Sequence, residues 1–121
     1  MTDIQSKEDI QNLVDLFYGK VLVDSLLAPF FAAMNFEAHK PRMVNFWSFV
    51  LLDEAGYTTD VTQKHMRMRL NKEHFDQWLS LFNTTVDEHF EGPKAEAAKQ
   101  RALLVGWTIQ SKLEHARSKE S

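Results

Sequence analysis

Five histidines, two tyrosines, three tryptophans and five methionines are the side chains with most scope for chemistry; cysteine is absent. Without thiols there are no disulfides, zinc–thiolate sites or iron–sulfur clusters, so any metal must be held by His, carboxylate or Met. His39 and His65 stand apart because both neighbour large apolar residues. Such an imidazole can ligate a metal or relay a proton, although a single His on an apolar stripe ordinarily has a structural role. Tyr18 and Trp78 carry the O–H and N–H donors that a buried aromatic can present; by themselves both also read as packing residues. His74, His89 and His115 read as surface histidines.

The elements that must position these groups are helical. Four Gly and three Pro are all the breakers the chain contains, and the stretches between them are long and periodic, which predicts an all-α fold. Ser6 and Asp9 form a capping box ahead of Ile10, Leu13, Leu16, Phe17 and Val21, placing a first helix over about 7–22. Pro29 limits the apolar stretch from Asp24 to Met34 to a short helix or turn. Glu37 to Glu54 reads as a helix with His39, Met43, Phe46, Trp47 and Val50 on one stripe. Pro41 requires that this helix either start regularly near Lys40 or begin earlier with a kink. Tyr57 to Leu70 is the least regular region, with one turn around Thr62 to Met66. Asn71 caps the next helix, whose stripe is Phe75, Trp78, Leu79, Phe82, Val86 and Phe90. Gly92 and Pro93 supply a C-terminal stop and a first-turn proline. The last helix carries the stripe Ala102, Leu103, Val105, Gly106, Ile109 and Leu113.

A length of 121 residues fits one domain, with polar ends, 1–6 and 117–121, expected to fray. The formal net charge of −3 is scattered, which excludes the basic footprint of a nucleic-acid binder. Met1 to Asp9 is not a signal peptide, and the longest apolar run, Phe46 to Leu52 broken by Ser48, is too short to span a bilayer. These features predict a cytoplasmic protein.

Several segments in order resemble the group III truncated haemoglobins. They are Phe17-Tyr18, Asp24 followed by Pro29 and Phe31, His39 followed by Asn45-Phe46-Trp47, Tyr57 followed by His65, and the run His74-Phe75-Asp76-Gln77-Trp78-Leu79-Ser80-Leu81-Phe82. The resemblance covers about Ile10 to Leu113 and implies a truncated globin fold, two helices packed over two with haem between them. By position it makes His65 the iron ligand, Tyr18, His39 and Trp78 the distal polar residues, Phe31 and Phe46 apolar contacts of the porphyrin, and Met43 part of the distal wall. Lys64 and Arg67, beside His65, would pair with the haem propionates. The chain departs from the family pattern at Pro41, and at Thr59 and Val61, where Gly and Pro are usual.

Without cysteine the cofactor would be haem b, free of covalent c-type attachment. One neutral imidazole on the iron leaves a position open for O2, NO or a related small ligand, and donors from Tyr18 and Trp78 would hold such a ligand. That pattern suits chemistry such as nitric oxide detoxification better than oxygen transport. No flavin or nicotinamide motif is present, so a separate reductase is expected. A peroxidase-like reaction with His39 and Tyr18 as proton donor and polar partner, and a haem-free helical interaction module, are the alternatives. The expected assembly is a monomer or weak homodimer.

Overall fold

The structure, a computed structural model, describes residues 1–31, 35–52 and 71–120, the side chains of Phe36, Leu113 and 116–120 excepted. Among these residues there are five helices and no strand: α1 (Lys7–Val23), α2 (Ala28–Phe31), α3 (Phe36–Leu52), α4 (Lys72–His89) and α5 (Pro93–Glu120). α1 packs on α3 and α4 packs on α5, while α1–α4 and α3–α5 contacts join the two pairs. The result is the two-over-two helical sandwich of a truncated globin. No helix among the described residues is long and apolar enough to cross a membrane.

The α1 cap differs from the expected box by one residue. Ser6 Oγ accepts from the Asp9 N–H at 3.3 Å, but Asp9 Oδ2 accepts from the Gln5 N–H at 2.9 Å, one position before the cap. At the other end Asp24 turns the chain into α2. Its Oδ1 accepts from the Leu26 and Leu27 N–H groups, each at 3.0 Å, and its Oδ2 takes the Gln77 amide of α4 at 2.5 Å. The Gln77 bond comes first in holding this carboxyl below its ordinary value; partial desolvation opposes it and the two backbone donors add to it.

α3 begins at Phe36 and carries Pro41 inside it, so regular helix does not wait for Lys40. The first bond runs from the His39 N–H to the Asn35 carbonyl at 3.0 Å. Pro41 has no N–H to return to the Glu37 carbonyl, and both residues face solvent, where water can replace the missing donor.

Three expectations need correction here. The N-terminal residues are held, not frayed: Ile4 is fully buried, and Asp3 accepts from the Lys94 and Ala95 N–H groups at 2.9 and 2.8 Å. Gly92 does not end α4. Phe90 does, its N–H closing on the Val86 carbonyl at 2.7 Å, while Gly92, φ +142°, lies just before α5 and its carbonyl accepts from the Glu96 N–H at 3.0 Å. A Cβ at Gly92 would lie 2.6 Å from Asp3 Cγ, so the missing side chain makes room for a cap borrowed from the N-terminus. Leu103 is 58% exposed, beside exposed Leu104 and Trp107. It lies about 100° round the helix from Ala102, off the face that buries Ala95, Ala98, Ala102 and Ile109.

The core centres on Phe82, which is 2% exposed. Trp47 stacks on it at 4.9 Å and Trp78 at 5.9 Å, and Phe17 meets it edge-on at 5.3 Å. Burying one such ring stabilises the fold by about 1.5–3 kcal/mol, and well-placed ring pairs add about 0.5–1.5 kcal/mol each. This stack joins α1, α3 and α4 and fixes the indole of Trp78.

Candidate functional site

Tyr18 and His39 enter the interior from different helices. The two residues have 5% and 8% exposure, and the Tyr18 hydroxyl lies 2.6 Å from His39 Nε2. Their rings meet edge to face with centroids 5.2 Å apart. Burial pushes the Tyr18 phenol above its ordinary value, so it stays neutral and protonated. The tautomer of His39 sets what the pair can offer. If Nε2 is bare, Tyr18 donates to it and presents only lone pairs elsewhere; if Nε2 carries the proton, the Tyr18 O–H is released to donate to a third group.

Phe31 stands on the far side of Tyr18, ring centroids 6.2 Å apart, and is itself buried. With Leu27, His74, Phe75, Trp78, Gly106 and Ile109 it lines a small cavity of about 20 Å³, room for about one water as these side chains stand. Trp78 is half-buried, wedged between Phe17 edge-on at 5.8 Å and Phe82, and its indole N–H has no hydrogen-bond partner among the described residues. Met43 is half-buried against the core and Phe46 is buried against Trp47 at 5.1 Å. The structure therefore brings Tyr18, His39 and Phe31 into one contiguous group, with Phe31 and Trp78 sharing the cavity wall. His65, Lys64 and Arg67 lie outside the described residues.

Five cavity-lining residues were not singled out for this role by the sequence, and His74 is the informative one. It is not on the surface: it has 8% exposure, and the Phe30 ring covers it edge to face at 4.7 Å. The signal was present in the spacing, since His74 and Trp78 are four apart on one helix and so share a face. The other four are apolar: Phe75, Gly106 and Ile109 lie on inward faces of α4 and α5, and Leu27 lies in the turn before α2. His89 and His115 are exposed, as expected.

The lining suits a flat apolar group with a few polar edges. It is mainly aliphatic and aromatic, contains no carboxylate, and presents an indole N–H and an imidazole, with a phenol and a second imidazole behind Phe31. The chemistry of this set suits haem: apolar residues such as Phe31 would pack on the ring, and the Trp78 N–H and Tyr18 O–H would be the donors for a small ligand.

Comparison with known proteins agrees with this geometry. The family model described as bacterial-like globin matches residues 2–105. The chain is 29% identical over 115 residues to the group 3 truncated hemoglobin ctb of Campylobacter jejuni subsp. jejuni, covering 89% of this chain and 91% of the relative. It superimposes on the crystal structure of group III truncated hemoglobin from Campylobacter jejuni with a TM-score of 0.83 at 29% identity, covering 93% of this chain and 95% of the other. The chain belongs to the bacterial-like globin family and is built on the truncated globin fold.

Proposed function

We propose that this globin binds haem b with His65 as its iron ligand, and that it acts on O2 and NO in a cytoplasmic reaction such as nitric oxide detoxification, served by a separate reductase. Membership of a globin family supports the haem, and the absence of cysteine supports its non-covalent b form. When bound, haem supplies an iron with one position open to a diatomic ligand.

The observation that carries the finer reading is the buried Tyr18–His39 bond at 2.6 Å beside the cavity that Phe31 and Trp78 line. Trp78 holds a free N–H in a fixed orientation. Tyr18 holds an O–H whose direction His39 controls. Phe31, Phe46 and Met43 exclude water, which strengthens any hydrogen bond made inside. Lys64 and Arg67 would neutralise the propionates at the rim. A net hydrogen bond stabilises by about 1 kcal/mol, so two donors slow the release of O2 by roughly 10- to 100-fold. Slow release serves reaction with a second molecule and opposes transport.

The test is spectroscopic and kinetic. Purified protein is expected to show a Soret band that His65→Ala abolishes. O2 dissociation is expected to change by about tenfold or more in Tyr18→Phe and Trp78→Phe, and to respond to His39→Leu through Tyr18. Unchanged release in all three variants would refute the distal roles, and a folded protein that takes up no haem would refute the whole reading. Stoichiometric nitrate from NO and the O2-loaded ferrous protein tests the proposed reaction.

A further inference from the structure

We propose that the outer face of α5 docks on the same face of a second copy of this chain, forming a weak antiparallel dimer; this stands apart from the haem reading. Trp107 is 64% exposed and Leu104 49%, and Leu103 beside them is exposed as well. Residues three and four apart on a helix are neighbours, so the three side chains form one patch. Trp107 lies about 200° round the helix from Ile109, and Leu104 the same angle from Ala102, so the patch is opposite the buried side of α5. A contiguous apolar patch of this kind, rimmed by polar residues, marks an interaction surface, whereas single exposed Leu residues do not.

The order of residues along this face selects a second copy as the occupant. Gln100, Leu104, Trp107, Ser111 and Glu114 follow one another at spacings of four and three, the seam that lets two helices pack at a shallow crossing. The seam carries no charge from Gln100 to Ser111. Its two ends carry opposite charge, Arg101 flanking one and Glu114 closing the other; both are exposed, and neither has an ion-pair partner among the described residues. A parallel pair would set Arg101 against Arg101 and Glu114 against Glu114. A two-fold axis between Leu104 and Trp107 runs the helices antiparallel instead. Leu104 then meets the partner's Trp107, and Arg101 comes within one helical turn of the partner's Glu114. The patch thus carries its own complement in shape and in charge, as an isologous interface requires. Three large apolar side chains with their polar neighbours cover roughly 500 Å² per copy, at the lower limit of a specific interface and short of the ~800 Å² per partner of a stable one. The dimer is therefore weak, with a Kd on the order of 100 μM.

Sedimentation velocity of the purified full-length protein, from about 5 to about 500 μM, is the test. Monomer is expected at the low end and a growing dimer at the high end. Trp107→Glu is expected to raise Kd about tenfold or more. Arg101→Glu is expected to raise it about fivefold, because each dimer loses two attractive pairs. Exchanging the charges in Arg101→Glu/Glu114→Arg should return Kd to within about twofold of wild type. All three positions are exposed, so each variant should keep the helical circular dichroism of wild type. A monomer at every concentration would mean that something other than a second copy covers this face, and would overturn the proposal. So would a dimer that Trp107→Glu leaves unchanged, which must use another surface, or an exchanged variant no tighter than Arg101→Glu, which would exclude the antiparallel pairing.

Discussion

The Tyr18 hydroxyl and His39 Nε2 stand 2.6 Å apart across the α1–α3 contact, and neither group can change its hydrogen bonding without the other. Two residues that resemble independent distal groups in the sequence are one unit in the fold. Their energies are therefore expected to couple. A double-mutant cycle of Tyr18→Phe and His39→Leu, followed by urea unfolding, should give an interaction energy of about 1 kcal/mol. Additive single effects would mean that the pair does not act as a unit.

Burial also predicts how Tyr18 titrates. Its phenol ionises above the ordinary value in the folded protein and near 10 in the unfolded chain. The contribution to stability is complete below about pH 10 and is lost as pH rises beyond it, because only the unfolded chain then releases the proton. In a Tyr57→Phe variant, which leaves Tyr18 as the one tyrosine, phenolate absorbance should stay absent through pH 10–11 and appear together with unfolding. A reversible step near pH 10 in folded protein would contradict the burial.

Asp3 is expected to stabilise α5 from the other end of the chain. Partial desolvation raises its carboxyl, and the backbone N–H groups of Lys94, Ala95 and Ile4 with the Lys94 charge outweigh this to hold it below the ordinary value. A depressed carboxyl stabilises above the unfolded value near 3.9, and that stability is lost as pH falls through the folded value. Asp3→Ala should cost about 1 kcal/mol at pH 7, as loss of a helix cap does. Against wild type the deficit should shrink below pH 4, as denaturant unfolding at pH 7 and pH 3 will show.

Gly106 is a helical glycine with room beside it. A Cβ there would meet Trp78 Cζ3 at 3.7 Å, an ordinary contact. Gly106→Ala should therefore stabilise the protein without haem by about 0.5–1 kcal/mol, through reduced backbone entropy in the unfolded chain. The same methyl narrows the cavity beside Trp78, so uptake of haem should weaken or slow. A thermal melt and a haem titration measure the two effects separately.

The local period of the sequence determined much of this protein. Helix is a short-range property, and the spacing of Ile10, Leu13, Phe17 and Val21, or of Phe75, Trp78, Phe82 and Val86, is legible without knowing what those faces meet. So was the scarcity of breakers, and so were the ordered segments around Tyr18, His39, His65 and Trp78 that mark a truncated globin. Only the tertiary structure decided the partners. Tyr18 and His39 are 21 residues apart and meet only because α1 and α3 dock at one particular angle. Asp3 caps a helix whose first N–H groups lie 91 and 92 residues away. His74 became an interior residue because Phe30 of α2 folds over it, and Leu103 stayed outside because no described element covers its side of α5. Hydrogen-bond partners and burial depend on how helices pack and which rotamers that packing allows, and those are long-range quantities that no window of sequence contains.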